Sequence, residues 1–301
     1  MLSREGTPRV LLPFCISASI FMTVNEAPEI ESHGICRAGK VREDNQDAIR
    51  FCRPDDLTLK YGPLYGIADG MGGYAHGGVA SSLALETFFD TFYKSNGVSP
   101  FQKLRLGVQN ANVGIYQAAQ RLGVPRMGTT LTAVNLVGQT LNLAHVGDSR
   151  AYLVRDNVAT CLTNDHTRVG EMVRMRMLSP EKVRRHAQRS VLNKCLGVGL
   201  FVQPDVFQVP VRAGDVIILC TDGVWSVIED AEFSQMASAC NGPEDLSRQI
   251  YDLAMSRESD DNLSVIALYI RRLPEPGTLD SSPAPWPMRV LRRIISRSGR
   301  T

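Results

Sequence analysis

The chain has 301 residues, of which 44 % are hydrophobic and 21 % charged, enough for one large globular domain or two small ones. Lys and Arg together number 33 and Asp and Glu 31, so the net charge of +2 provides no basic field for a nucleic-acid partner. The seven cysteines show no CxxC pair and no regular spacing, which favours reduced thiols and a cytoplasmic location.

An apolar stretch over residues 10–24 stands near the start of the chain. It is shorter than the roughly 20 residues of a membrane-spanning helix, and it contains Pro13. Three interpretations stay open: a signal or anchor segment with a small-residue site at 17–19, a packed segment, or a mis-annotated start with Met22 as the first residue. We predict that residues 1–29 form an N-terminal extension to the folded domain.

Segments whose apolar residues have helical spacing and segments whose apolar residues have strand spacing then follow one another along the chain. Residues 64–68 predict a short buried strand that ends at Asp69 and Gly70. Apolar residues at helical spacing predict one helix through 85–92 and a second through 104–122. Residues 129–163 change to a period of two, typical of antiparallel strands joined by tight turns.

The second half of the chain adds both kinds of element. Residues 165–195 are basic and rich in Met and show neither period clearly. Buried strands are predicted at 215–221 and 263–270, with helices near 229–239 and 243–257 between them. Consecutive helices and consecutive strands, without strict alternation, predict an α+β fold rather than a doubly wound sheet.

A change of composition marks the end of the predicted domain, because five prolines fall between residues 274 and 287. Residues 273–301 are predicted to be a Pro-rich linker and a basic tail. The tail places apolar residues on one helical face and arginines on the other. Contact with an anionic membrane or a partner, and a solvated terminus, both remain open for it.

Acidic residues stand where predicted strands begin or end. Asp69, Asp148 and Asp222 each follow an apolar run, whereas Asp47 and Asp261 each precede one. A single Asp-Gly pair is usually a turn. Several carboxylates at one edge of a sheet repel one another, however, and need a cation to neutralise them. Oxygen ligands without His or Cys suit Mg²⁺ or Mn²⁺.

Other site chemistries are not indicated by the pattern. The five histidines are dispersed, with no H-x-x-x-H pair and no cysteine at zinc-like spacing. The glycine-rich segment at 70–73 lacks the Lys and Ser or Thr of a phosphate-binding loop. Its glycines would instead let the backbone approach a metal, so that the Gly70 carbonyl can serve as a ligand.

Seven segments carry a resemblance to a known family: VREDNQDA (41–48), YGIADGMGG (65–73), MGTTLTAV (127–134), VGDSRAYLV (146–154), LTNDHT (162–167), DVIILCTDGVW (215–225) and SDDNLSVIAL (259–268). In this order they resemble the motifs of the metal-dependent type-2C serine/threonine protein phosphatases, in particular the bacterial branch. The resemblance covers roughly residues 30–272, the whole predicted domain.

The resemblance implies a β-sandwich of two mainly antiparallel sheets flanked by helices on both faces, with a metal cluster at one end. It implies that Asp69 bridges two Mn²⁺ or Mg²⁺ ions and that Asp222 and Asp261 complete the first site. The Gly70 carbonyl would bind the second ion, and Asp47 would hold water molecules on that second side.

The resemblance also implies a third, weaker metal site at Asp148 and a phosphate-binding role for Arg42. Hydrolysis would proceed by attack of a water shared between two ions, which makes Asp69 and Arg42 the predicted catalytic residues. The planar fork of Arg42 matches phosphate oxygens in a way that Lys would not. The alternative is a surface arginine paired with Glu43 or Asp44.

Two regions depart from the family pattern or vary within it. Met71 stands where many eukaryotic relatives carry a histidine that looks like a general acid, and the role of His76 nearby stays open. Residues 165–196 match the mobile segment beside the active site, here called the flap. Its basic residues would suit phosphorylated, acidic peptides or form a solvated face.

These observations predict a bacterial, cytoplasmic, monomeric phosphatase that acts on phosphoserine and phosphothreonine in proteins, including a cognate Ser/Thr kinase and its substrates. Two alternatives stay open: a phosphatase-like regulator that binds phosphoproteins without turnover, and the same fold acting on a small phosphoester or nucleotide. The five acids and Arg42 argue against the regulator, because a binding protein has no need to assemble repelling carboxylates.

Overall fold

The computed structural model describes residues 28–52, 56–71, 76–124 and 126–274. The interpretations of residues 1–27 and of the tail beyond residue 274 therefore fall outside the described residues. No helix within the described ranges is long and apolar enough to cross a membrane.

Strands and helices follow one another in the blocks that the sequence predicts. The strands are β1 (Glu29–Arg37), β2 (Asp47–Phe51), β3 (Leu64–Asp69), β4 (Leu131–Val137), β5 (Thr140–Val146), β6 (Arg150–Arg155), β7 (Val158–Cys161), β8 (Asp205–Pro210), β9 (Val216–Cys220) and β10 (Leu263–Arg272). The α-helices are α1 (Asp56–Tyr61), α2 (Gly77–Lys94), α3 (Pro100–Leu122), α4 (Arg168–Arg174), α5 (Asp222–Trp225), α6 (Asp230–Ala239) and α7 (Pro243–Ser256), and a short 3₁₀ helix lies at Pro180–Lys182.

Two five-stranded sheets form the centre of the fold. The first has the strand order β1-β10-β9-β6-β7 and the second β2-β3-β4-β5-β8. All of these strand pairs are antiparallel. Fully buried apolar side chains fill the space between the sheets, among them Ile67 and Leu143 from the second sheet and Ile217 and Ile266 from the first. The predicted α+β sandwich is confirmed.

Helices cover the outer face of each sheet. On the second sheet, α2 and α3 bury Phe88, Phe92 and Ile115 in one cluster. The two helices approach closely at Gly107, where a Cβ atom would lie 2.8 Å from the ring of Phe88. On the first sheet, α6 and α7 bury Phe233 and Ile250 together with other side chains.

Local signals fix the ends of α3 more firmly than its apolar stripe does. Ser99 and Gln102 form a reciprocal capping box, and Pro100 occupies the first turn, where a missing N–H costs nothing. Gly123 ends the helix with a φ of 67°, a left-handed conformation that glycine adopts without strain. The helix therefore begins four residues before the first apolar position of the predicted stripe, Leu104.

Several elements differ from the prediction or were absent from it. The helix predicted through 85–92 is part of the longer α2, and residues 129–163 resolve into β4 to β7. Strands β1 and β8 and helices α1, α4 and α5 were not predicted from the sequence. Strands β1 and β8 are largely half-exposed, so their hydrophobic pattern is weak, and α1, α4 and α5 are too short to show a period.

We expect Phe88→Ala to destabilise the folded domain by about 3–5 kcal/mol, because it removes a fully buried ring at the contact between α2 and α3. Chemical denaturation measures the change. Leu122→Ala, at a position 53 % exposed, is the matched control and should cost less than about 1 kcal/mol. Equal losses in the two variants would contradict this account of the core.

Candidate active site

Strand direction brings the predicted acids to one end of the sandwich. In the second sheet Asp47, which opens β2, is the register partner of Asp69, which closes β3. In the first sheet Cys220, at the end of β9, lies beside Arg150 at the start of β6. The start of β10 reaches the same end, because Val265 pairs with Cys220.

The remaining three acids lie in the connections at this same end. Asp148 stands two residues before β6, Asp222 two residues after β9, and Asp261 two residues before β10. Antiparallel pairing therefore makes the end of one strand and the start of the next into neighbours. The two sheets together supply all five carboxylates.

The segment Thr129–Thr130 holds the backbone on both sides of Asp69. The Asp69 amide donates to Thr130 Oγ1 (2.9 Å), and the Asp69 carbonyl accepts from Thr129 Oγ1 (2.8 Å) and from the Thr130 amide (2.9 Å). These bonds fix the place where β3 ends and so the position from which the carboxylate projects.

A hydroxyl from the other sheet holds Asp47. Its side chain is only 7 % exposed, and Oδ2 accepts a hydrogen bond of 3.0 Å from Thr221 Oγ1. Thr221 directly precedes Asp222, so this contact joins the two sheets at the acid cluster. Thr221 Oγ1 also accepts from the Ser264 amide (3.2 Å), which ties β9 to β10 at the same place.

Gly70 occupies a position that no larger residue fits. A Cβ atom there would lie 2.3 Å from the Gly77 carbonyl oxygen and 2.5 Å from that of Gln46. The Gly70 amide donates to the same Gln46 oxygen at 3.1 Å. The chain beyond Asp69 is therefore held against two other backbone segments, as the glycine-rich motif indicates.

Burial and mutual repulsion raise the pKa values of Asp47, Asp69, Asp148 and Asp222. Burial is the main cause at Asp69, and the charges of Asp47, Asp222, Asp148 and Asp261 add to it, so its pKa lies well above the usual value. Burial and neighbouring acids raise the pKa of Asp47 to about 7 and that of Asp222 to about 6. The pKa of Asp148 is also raised, by burial and by Asp222. The structure thus brings all five predicted acids into one electrostatic cluster.

Arg42 lies at the solvent side of this cluster. Its guanidinium donates to Asp261 Oδ2 at 3.0 Å, and the Arg42 side chain is 44 % exposed. Asp261 is the main cause that raises the pKa of Arg42. The observed partner is Asp261 rather than the neighbouring Glu43 or Asp44 that the surface interpretation supposed.

Asn262 anchors the loop that carries Arg42. Its Oδ1 accepts from the Gln46 amide (2.9 Å), and its Nδ2 donates to the Asp44 carbonyl (2.9 Å). The sequence analysis did not single out Asn262. Its position in the quoted segment SDDNLSVIAL was the only signal.

Trp225 and Arg150 form a second support that the sequence analysis missed. The indole N–H of Trp225 donates to the Asp148 carbonyl at 2.9 Å, and the Arg150 guanidinium lies 3.6 Å from the Trp225 ring centroid. Two hydrogen bonds of 2.9 and 2.7 Å join Arg150 to the carboxylate of Asp165. Trp225, Arg150 and Asp165 all lie within the quoted segments. The sequence marks these positions but does not show which of the side chains are in contact.

The two departures from the family pattern lie close to Asp69. Met71 donates its amide to the Gly128 carbonyl (3.1 Å), and its side chain packs on Gly128. His76 precedes α2 with a φ of 68° and an exposed side chain that forms no cap hydrogen bond. A catalytic role for His76 therefore gains no support from its contacts.

The flap contacts the cluster directly where Ser190 Oγ donates to Asp222 Oδ2 at 3.4 Å. Arg184, also in the flap, donates to the carbonyls of Trp225 (2.9 Å) and Ile228 (3.2 Å). Helix α4 and the 3₁₀ helix lie in this segment. Part of the basic charge of the flap thus bonds to neighbouring backbone carbonyls and is not presented to solvent.

The acids fit a divalent metal in their chemistry. Their donors are oxygens alone, their negative charges repel one another, and the buried Asp222 Oδ1 has no hydrogen-bond partner. Across the described ranges no three His, Cys, Asp or Glu side chains already stand in the arrangement of a metal site. Which residues coordinate an ion therefore stays a prediction.

A helix-flanked antiparallel sandwich with an acid cluster and an arginine at one end defines a metal-dependent phosphoester hydrolase. The sequence profile described as Protein phosphatase 2C matches residues 39–253, and the chain belongs to this family. It is a serine/threonine protein phosphatase. The predicted family, fold class and enzyme activity are confirmed.

Individual proteins agree with this family. The serine/threonine phosphatase stp of Listeria welshimeri is 30 % identical over 79 % of this chain and 95 % of its own length. The crystal structure of Stp1 from Staphylococcus aureus matches 82 % of this chain and 97 % of that one, with 28 % identity and a TM-score of 0.76. A structure of the PstP catalytic domain in complex with two manganese ions matches 81 % of this chain and all of that one (29 % identity, TM-score 0.68).

We expect the metal-free protein to lose stability as the pH rises from about 4 to about 7. The folded state keeps a proton on Asp47 up to a pKa of about 7, whereas the unfolded chain releases it near 3.8. Deprotonation in this window therefore penalises only the folded state, through buried, repelling charge. Melting temperatures in EDTA between about pH 5 and about pH 8 test this.

Asp47→Asn should reduce the slope, and Asp252→Asn, at an exposed position on α7, should leave it unchanged. The same downward slope in wild type and Asp47→Asn would contradict the assignment of the proton to Asp47.

Proposed function

We propose that Asp69 and its neighbouring acids hold the divalent ions of this phosphatase and that Arg42 binds the phosphate of the substrate. Asp69, Asp222, Asp261 and the Gly70 carbonyl would hold two ions, with Asp47 holding water molecules beside them. Asp148 would hold a third, weaker ion. The observation that carries this proposal is the convergence of five carboxylates at a single end of the sandwich, where burial and mutual repulsion raise the pKa values of Asp47, Asp69, Asp148 and Asp222.

Mn²⁺ or Mg²⁺ suits this donor set, which consists of oxygens only. The two manganese ions of the similar PstP catalytic domain support the choice. When bound, a pair of such ions lowers the pKa of water towards neutrality and offsets the charge of a phosphate dianion. Without that compensation, the acid cluster would repel the substrate phosphate.

Besides the ions, the side chain of Arg42 supplies positive charge for binding the phosphate. Its contact with Asp261 holds the guanidinium beside the cluster, and its partial exposure lets a phosphate group reach it from solvent. The planar fork can donate two parallel hydrogen bonds to phosphate oxygens, which orients the phosphorus towards the acids.

The described side chains supply no obvious proton donor for the leaving serine or threonine oxygen. Met71 cannot donate a proton, and no contact of His76 directs it to the cluster. Bound divalent ions would keep the carboxyls of the cluster ionised, because a nearby cation favours the charged form of an acid. The proton would therefore reach the leaving oxygen from a water molecule held beside Asp47 and its neighbours.

The substrates are phosphorylated proteins of Ser/Thr kinase signalling. We propose a cognate kinase of the same cell and its targets as the specific partners, and a monomeric, cytoplasmic enzyme. The six cysteines in the described part of the chain are all free thiols, which supports a reducing compartment. Residues 30–272 would form the catalytic domain with the flap at 165–196. No contact favours a phosphoprotein-binding regulator.

We expect the full-length protein to hydrolyse p-nitrophenyl phosphate and a phosphothreonine peptide with Mn²⁺ or Mg²⁺ and to lose both activities in EDTA. Asp69→Asn should lower kcat by roughly 100-fold or more, because it removes a charge that holds the ions at the reacting group. Asp252→Asn, the same change at an exposed distant site, should retain full activity. Folded wild type that binds the phosphopeptide without turnover would favour the regulator instead.

We expect Arg42→Lys and Arg42→Ala both to raise KM for the phosphothreonine peptide, by about tenfold, since neither can donate the paired hydrogen bonds of a guanidinium. Steady-state kinetics at saturating Mn²⁺ measures the effect. Arg248→Ala, at an exposed position on α7, serves as the matched control. An unchanged KM in Arg42→Lys would mean that Arg42 acts only as a point charge.

A further inference from the structure

A short uncharged segment after the flap, Val198, Gly199, Leu200 and Phe201, lies beside the acid cluster and is here called the apolar loop. Its backbone is joined to the site through a ladder of three segments, in which Gly70 bridges to Thr129 and Thr129 bridges to Leu196. The Thr129 and Leu196 backbones exchange hydrogen bonds of 3.2 and 2.8 Å. The apolar loop thus leaves the ladder two residues after Leu196.

Side-chain contacts place the start of the apolar loop close to the end of β3. A Cβ atom on Gly128 would lie 2.1 Å from Met71 Cε and 3.2 Å from Val198 Cγ2. Both side chains therefore meet over Gly128, and Met71 is only two residues from Asp69. Val198 belongs to the border of the proposed active site.

Buried polar groups on α3 hold this loop in one conformation. Asn112, which is fully buried, donates to the carbonyls of Gly199 (2.8 Å) and Leu200 (3.1 Å) and accepts from the Gly197 amide (2.8 Å). Gln109 donates to the carbonyl of Val202, whose side chain packs into the cluster beneath α3. The backbone is fixed on both sides of the exposed residues, so their exposure belongs to an ordered segment.

The exposed side chains of this ordered segment are apolar. Val198 is 43 % exposed, Leu200 52 % and Phe201 90 %. Single apolar residues on a protein surface are ordinary, whereas three within four positions beside a binding site indicate an interaction surface.

We propose that the apolar loop binds an apolar side chain of the protein substrate, a few residues from the phosphoserine or phosphothreonine. Neighbouring strands lie about 4.8 Å apart, so the base of the apolar loop at Leu196 is about 10 Å from Gly70 across the ladder, and Val198 extends from that base over Gly128. An extended peptide covers that distance in about three residues at roughly 3.3 Å each. This proposal rests on the proposed function and adds to it the kind of residue that the substrate carries near its phosphate.

The substrate is the occupant that the position favours, because the loop adjoins the site to which the phosphate is drawn. A second copy of the chain or the apolar face of the C-terminal tail would cover the same side chains in a different way. Either would block the border of the site, whereas a substrate contact would assist binding. Removing the apolar side chains should therefore weaken substrate binding if the occupant is the substrate. It should make the site more accessible if the occupant is a second copy or the tail.

The test compares full-length wild type with the double variant Leu200→Ser/Phe201→Ser in Mn²⁺. Three substrates are used: p-nitrophenyl phosphate and two phosphothreonine peptides that differ only in Leu or Ser, placed three residues from the phosphothreonine on either side. Val158→Ser is the control variant, since Val158 is 54 % exposed and lies at the start of β7, the end of the first sheet remote from the acids. Binding of the peptides is measured alongside turnover.

Wild type should prefer the Leu peptide over the Ser peptide by about tenfold in kcat/KM, and the double variant should lose this preference. Hydrolysis of p-nitrophenyl phosphate should be the same in both, because it has no flanking residues. The control should behave as wild type. Peptide binding should show the same difference, so the loop is tested even if turnover is absent.

A retained preference in the double variant, or equal use of both peptides by wild type, would overturn the proposal. Faster p-nitrophenyl phosphate hydrolysis by the variant would assign the loop to an inhibitory segment, and a change in oligomeric state would assign it to a second copy. Either result would also overturn it. Failure of wild type to hydrolyse p-nitrophenyl phosphate would count against the proposed function alone.

Discussion

Repulsion among five carboxylates is the constraint on which the rest of this structure depends. Asp47 begins β2 and Asp69 ends β3 in one sheet, and Asp148, Asp222 and Asp261 each lie two residues from a strand of the other. Bringing the acids together raises the pKa values of Asp47 and Asp69, among others, and costs folding free energy. The apolar layer between the sheets and the two outer helix layers supply the burial that offsets this cost.

Several polar supports around the cluster hold backbone positions, and Thr221 also donates to the carboxylate of Asp47. Thr129 and Thr130 hold the backbone of Asp69, and the Trp225 indole holds the carbonyl of Asp148. These neutral groups neither neutralise the carboxylates nor compete for them as cations would. The acids therefore keep the negative charge that a divalent ion needs, in positions set before any ion binds. Arg42 and Arg150 are the charged exceptions: Arg150 is buried beside Asp165, and Arg42 lies at the solvent side, where a phosphate can reach it.

Long elements with one buried face could be predicted from the sequence. Short elements, and contacts between residues far apart in the chain, could not. Helix α3 shows a continuous apolar face, whereas α5 has four residues and no period to detect. The acids could be found because each stands beside an apolar run. The Arg42–Asp261 pair could not be read from spacing, since the two residues are 219 positions apart and depend on the pairing of β1 with β10. The support of Asp148 by Trp225 likewise depends on packing.

The flap is attached at a closed base, so most of its length is separated from the acid cluster. The His166 amide donates to the Gly147 carbonyl (2.7 Å), and the Asn193 amide donates to the His166 carbonyl (2.7 Å), so both ends of the flap are joined beside Asp148. Thr167 also bridges to Leu192. A segment closed at its base can change in sequence along its length without moving the acids. The apolar loop extends the same principle, because Asn112 fixes its backbone and leaves its side chains free to vary. Specificity can therefore evolve at the border while the repelling carboxylates stay in place.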